Sequence, residues 1–263
     1  MPKKIIGYWI ISFLILTVMF LYIEKLGSFS FLFVLTLMLY GRYLIRSERN
    51  KVGAISYKYL MECDPYECIE SFKKYYKKVF QSKRQKNYVK MVYAIILIDA
   101  GQIDNSIDIL CSLDVDVNQM SDIERFWYLR AWAQIYYEKN QPEHMKKMLD
   151  EITLLIDRAD QRIVNTLKEN YNLLLAKYYI LTEVYLDNSL DILEKCFREN
   201  HTAINRIKSI FYIGLINLKK NNYEKAKQCF TDVVKTKRTK LKVYNDSEKI
   251  ISKLFTDKSL TNC

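Results

Sequence analysis

The chain has 263 residues, half of them hydrophobic, and 41 Lys and Arg against 30 Asp and Glu give a net charge of +11. That is ample apolar material for a sizeable core. Only 6 Gly and 3 Pro leave few breakers for a many-stranded fold with tight turns, and 2 His leave little material for imidazole chemistry. An all-α fold is the expectation.

Residues 5–23, IIGYWIISFLILTVMFLYI, run for 19 residues without a charge, close to the length a helix needs to cross a bilayer. A link, EKLGS, leads to a second apolar run at 29–45, FSFLFVLTLMLYGRYLI, where Arg42 stands near the far end and can reach headgroups. The two runs predict a transmembrane helical hairpin as a first domain, residues 1–45. Lys3 and Lys4 precede it while Arg42, Arg46, Arg49 and Lys51 follow it, so the positive-inside rule puts both termini in the cytoplasm and the protein in an inner or plasma membrane. No small-x-small site follows the first run, which argues against a cleaved signal peptide.

A second domain, residues 46–263, is predicted to be cytoplasmic and helical. Its clearest element lies at 207–240, where Gly214 and Ala226 are flanked by Ile210, Ile213, Phe230 and Val233, with Asn221, Asn222 and Tyr223 between two amphipathic stretches. This pattern resembles the tetratricopeptide repeat, a 34-residue helix-turn-helix unit with small residues at positions 8 and 20. Further windows in the same frame begin at 49, 87, 126 and 170. Their positions 8 and 20 hold Ser56 and Cys68, Ala94 and Ser106, Ala133 and Met145, and Lys177 and Ser189. The fourth unit fits worst, because Lys177 stands on a small-residue position and Ala176 sits one place early.

Small residues at those positions let the two helices of a hairpin approach closely. The resemblance implies a solenoid of about five degenerate hairpins, near 49–82, 87–120, 126–159, 170–203 and 207–240, closed by a capping helix at 241–258. It also implies a ligand groove along the first helices. Carried onto this frame, that groove includes Tyr57, Tyr88, Trp127, Arg130, Gln134, Tyr137, Glu138, Tyr178 and Leu215, a set suited to a peptide or a partner helix. The Lys, Asn and Arg pattern of chaperone-binding members is absent.

Charge is uneven along the chain: net +3 over 1–45, +7 over 46–90, −8 over 91–200 and +9 over 201–263. Lys73, Lys74, Lys77, Lys78, Lys83, Arg84, Lys86 and Lys90 form a basic segment without an acidic residue, which suits either an anionic membrane surface or a solvated helix face. The acidic middle disfavours nucleic acid as a partner.

No phosphate-cradling glycine motif occurs, and the Cys63–Cys68 and Cys196–His201 spacings stand alone instead of forming the two tight pairs of a zinc site. The 6 cysteines sit in helical patterns and read as free thiols. His144 reads as a solvated turn residue. No cofactor, metal or catalytic constellation is expected. The function that follows is a membrane-anchored scaffold or adaptor binding a protein or peptide partner through its repeats. A regulatory or assembly subunit recognised through its transmembrane hairpin is the alternative, and an enzyme without a linear signature is the third.

Overall fold

A computed structural model describes residues 27–78, 83–113, 120–199 and 202–256. Its described elements are helical: α1 (Gly27–Glu62), α2 (Pro65–Lys78), α3 (Lys83–Asp99), α4 (Ile103–Cys111), α5 (Asp122–Glu138), α6 (Pro142–Arg158), α7 (Gln161–Thr182), α8 (Leu186–Glu199), α9 (Ala203–Lys219), α10 (Tyr223–Lys235) and α11 (Lys242–Ile251). A π-helical turn, Ser252–Thr256, follows.

The expected transmembrane hairpin is corrected. Among the described residues no helix is long and apolar enough to cross a membrane. The apolar run at 29–45 is the first half of one unbroken helix, α1, whose second half carries Arg46, Glu48, Arg49, Lys51 and Lys58. That helix also runs through the boundary placed between residues 45 and 46. The run at 5–23 lies outside the described residues. The inner-membrane placement and the orientation of the termini, which both rested on the two spans, fall with them.

From α1 to α10 the helices pack in consecutive pairs, α1 with α2, α3 with α4, α5 with α6, α7 with α8 and α9 with α10. The two members of a pair read differently. In α10 the buried residues Ala226, Phe230 and Val233 fall on one stripe, as do Met145, Leu149, Ile152 and Ile156 in α6. The first helices are buried on several sides. Phe126, Leu129, Arg130, Ala131, Ala133 and Gln134 of α5 are all buried, as are Ile207, Lys208, Phe211, Tyr212, Gly214 and Ile216 of α9. They form an inner layer, and the second helices cover it.

Three of the turns within pairs share one geometry. Gly101, Asn140 and Asn221 take left-handed backbone with φ of 79°, 55° and 59°, and the next N–H donates back to the carbonyl five residues earlier. Those bonds are Gln102 to Leu97 (2.8 Å), Gln141 to Tyr136 (2.9 Å) and Asn222 to Asn217 (2.8 Å). This is the Schellman arrangement, which satisfies a carbonyl that the helix end would otherwise leave open, and Gly and Asn adopt it at least cost.

Small residues mark the crossings. A Cβ placed on Gly214 would lie 2.8 Å from Phe230 Cε1 and 3.1 Å from Cys229 Cβ, so only glycine fits against α10 as it stands. Ser106 Oγ donates to the Ala94 carbonyl at 3.0 Å and Ser189 Oγ to the Ala176 carbonyl at 3.1 Å, each a buried bond across a pair. In the fourth unit the close contact is therefore made at Ala176, and the frame that put Lys177 there is corrected by one residue.

The array is not a row in which each pair meets only its neighbours, as a solenoid would be. Alongside the contacts of α3 with α5, α5 with α7 and α7 with α9, the first helix α1 packs on α9 of the last pair. One hydrophobic cluster accordingly joins Tyr59, Phe72 and Leu97 to Ile207, Phe211 and Phe230. Lys240, between α10 and α11, pairs with Asp64, between α1 and α2. Helix α11 packs on α10 and α9, as a cap should, but it also reaches inward: Lys242 Nζ lies 3.1 Å from Glu138 on α5.

Candidate functional site

Closure of the array leaves a cleft of about 670 Å³ between the ends of α3, α5, α7 and α9, with α11 along one side. Ile180, Phe211, Tyr212, Leu215 and Val243 supply apolar wall, and Asp99, Glu138, Lys177, Lys208, Lys242 and Asp246 supply charge. The volume lies within the range of small-molecule and peptide-side-chain pockets, roughly 300–1,000 Å³. A smaller space of about 10 Å³, lined by Arg130, Gln134, Asn170, Lys177, Asn205 and Lys208, shares Lys177, Lys208 and Tyr212 with the cleft.

The charges are organised around one carboxylate. Lys208 Nζ lies 2.6 Å from Asp99 Oδ2, and Tyr59 OH donates to the same oxygen. All three side chains are buried. Burial alone would raise the Asp99 carboxyl, but Lys208 beside it, the Tyr59 hydroxyl and the more distant Lys177 hold it below its ordinary value. Burial and the Asp99 charge push the Tyr59 hydroxyl well above its usual range. The trio ties α1, α3 and α9 together at the point where the array closes.

Lys177 is different. It is 4% exposed, lies over the rings of Tyr137 (5.0 Å) and Tyr212 (4.9 Å), and has neither a hydrogen bond nor an ion pair among the described residues. Burial pulls its ammonium down to about 8; Glu138 and Asp99 oppose the fall, and Lys208 and Arg130 add to it. Arg130 is 8% exposed, sits over the Trp127 ring at 5.0 Å, and likewise makes no hydrogen bond or ion pair among the described residues. Burial lowers its pKa too. Gln134 Oε1, on the same wall, is buried without a donor.

The residues expected in a groove separate into three groups. Tyr137, Glu138 and Leu215 line the cleft, and Arg130 and Gln134 line the small space that adjoins it. Tyr88, Trp127 and Tyr178 are half-buried and pack against the hydrophobic clusters, and Tyr57 is exposed on α1, outside the cleft lining. Sequence reasoning missed Asp99, Lys177, Lys208, Tyr212 and Lys242. A signal existed for Lys177, a long cation on a position reserved for a small residue. In the repeat frame that position is a poor match, whereas the folded chain buries its charge facing inward.

In the basic segment, Lys73 pairs with Glu70 at 2.9 Å, Lys74 and Lys86 are exposed, and Lys90 Nζ donates to the Ser112 carbonyl at 2.7 Å, tying α3 to α4. The side chains of Lys77, Lys78, Lys83 and Arg84 lie outside those described. His144 is exposed at the start of α6, its ring 5.1 Å from that of Tyr136, and His201 lies outside the described residues. Cys63, Cys68, Cys111, Cys196 and Cys229 are free thiols. Among the described residues no three of His, Cys, Asp and Glu come together as metal ligands would.

Comparison with protein-family models, with curated proteins and with solved structures finds no match. The site has to be read from its own chemistry.

Proposed function

We propose that this chain is a non-enzymatic binding module that takes a short peptide segment of a partner protein into the cleft between α5, α7, α9 and α11. The observation that carries the reading is the cleft itself. Aromatic and aliphatic walls, Tyr137, Phe211, Tyr212 and Leu215, stand beside a buried cation, Lys177, that has no ion pair among the described residues. Apolar anchors beside a few fixed polar groups are what peptide grooves use for affinity and specificity. The tetratricopeptide-like spacing of small residues supports the same reading, because that architecture uses its first helices for binding.

The test is an array of short peptides of varied sequence probed with the labelled full-length chain and with Leu215→Trp, which fills the cleft from its wall. The expected result is a reproducible subset of peptides bound by the native chain and weakened about tenfold or more by the substitution, a loss of about 1.4 kcal/mol. An array on which nothing is bound overturns the proposal, and so does binding indifferent to Leu215→Trp.

A further inference from the structure

Six cations and four carboxylates line the cleft and its floor: Arg130, Lys177, Lys208, Lys219, Lys242 and Lys249 against Asp99, Glu138, Glu183 and Asp246. Lys208 is paired with Asp99 at 2.6 Å, and Lys242 with Glu138 at 3.1 Å and Asp246 at 2.5 Å. Lys219 is paired with Glu183 at 2.6 Å, and of the lining cations without an ion pair among the described residues, Arg130 and Lys177 are the buried ones. Both are more than nine-tenths buried. Burying charge without a counter-charge is costly, and the ring faces of Trp127, Tyr137 and Tyr212 offset only part of that cost. A guanidinium and an ammonium held this way, both lining one small space, are organised for an anion that arrives from outside.

Resting on the peptide-cleft reading above, we propose that Arg130 and Lys177 receive a carboxylate group of the bound peptide. A carboxylate supplies the counter-charge that these two buried cations lack. Space points the same way: the recess next to Arg130 and Gln134 is about 10 Å³, room for about one water-sized atom, so a flat carboxylate can send a single oxygen in while its chain stays in the cleft beside Phe211 and Leu215. Arg130 offers a planar fork and Lys177 a point charge, the pairing that suits a carboxylate approached from one side. The partner is thus characterised by an acidic group next to an apolar or aromatic residue that fills the wall formed by Phe211 and Leu215.

The carboxylate has two possible sources, an Asp or Glu side chain or the end of the partner's chain, and the experiment separates them. Each peptide that the full-length protein binds is resynthesised in four forms: Glu or Gln (Asp or Asn) at its acidic position, each with a free or an amidated C-terminus. Expected is a preference of about tenfold or more for one carboxylate-bearing form over its neutral counterpart. Lys177→Met and Arg130→Met should abolish that preference while residual binding persists, and Lys177→Arg should retain most of it. Circular dichroism melts of the variants confirm that they fold. A preference tracking the side chain makes an acidic residue the source; one tracking the terminus makes it the chain end. Peptides bound equally in all four forms, or a preference that survives both Met substitutions, would overturn the carboxylate assignment and leave the peptide cleft standing. Failure of any peptide to bind removes both.

Discussion

The fourth and fifth hairpins pose the same packing problem and answer it differently. In the fifth, Gly214 meets Phe230 so closely that a single methyl group would collide, and Ala226 is wholly buried opposite. In the fourth, contact shifts by one residue: Ala176 receives the Ser189 hydrogen bond, and Lys177 is rotated off the pair interface toward the cleft. One step along a helix turns a side chain by about 100°, enough to move it from a contact between two helices to the inner face of the array. An irregular copy of a repeated pattern can therefore be the copy that carries a site.

The largest expected effect lies where that inner face is tied together. Asp99→Ala should destabilise the fold by about 3–5 kcal/mol in urea unfolding, because it leaves Lys208 buried without its partner next to two further cations. A loss below about 1 kcal/mol would show that the closure of α1 onto α9 does not depend on this carboxylate.

The two hairpins should next respond with opposite signs to a large apolar residue. Gly214→Leu should cost about 1–3 kcal/mol through overpacking against Phe230 and Cys229. Lys177→Met should be neutral or stabilising, since it trades a desolvated, unpaired charge for an apolar side chain of similar length. Equal destabilisation at both positions would mean that Lys177 belongs to the pair interface after all.

The smallest effect sharpens the comparison by pH. A lysine whose folded-state value is lowered to about 8 binds its proton less well than in the unfolded chain, where the value is about 10.4. The unfolded state then holds more protons between those values, so this group's contribution to stability rises with pH across that window. The groups facing it are Asp99 on α3, Arg130, Tyr137 and Glu138 on α5, Lys208 and Tyr212 on α9, and Lys242 and Asp246 on α11. Buried thiols act in the opposite direction, since burial pushes Cys68 up to about 12 and its protection is lost as the unfolded thiol ionises. The quantity to measure is thus the difference between the native chain and Lys177→Met, which should move in favour of the native chain from pH 7.5 to 9.5 by about 1–2 kcal/mol. A flat difference would place Lys177 in contact with solvent.

Much of the fold was legible locally. The helical class, the buried small residues at Ala94, Ala133, Gly214 and Ala226, and the turn at Gly101 could be read from spacing within a few tens of residues, because helix periodicity and turn chemistry are local. The apolar run at 29–45 was legible as apolar but misled as a membrane span, because a window of residues does not reveal that its helix continues into a charged half. Five of the nine groove residues reached the cleft or its floor, while Tyr88, Trp127 and Tyr178 were absorbed by packing between pairs, which position numbers alone do not separate from exposure.

What the sequence determined by itself is the helical class, the pairing of neighbouring helices and the places where two backbones come close, since each follows from residues near one another in the chain. The site was decided only in three dimensions. Asp99 and Lys208 are 109 residues apart, and Lys242 meets Glu138 across more than 100 positions, because α1 packs on α9 of the last pair and Lys242 at the start of α11 reaches back to α5. No short-range pattern encodes that closure, and with it came the burial that leaves Arg130 and Lys177 without an ion pair among the described residues.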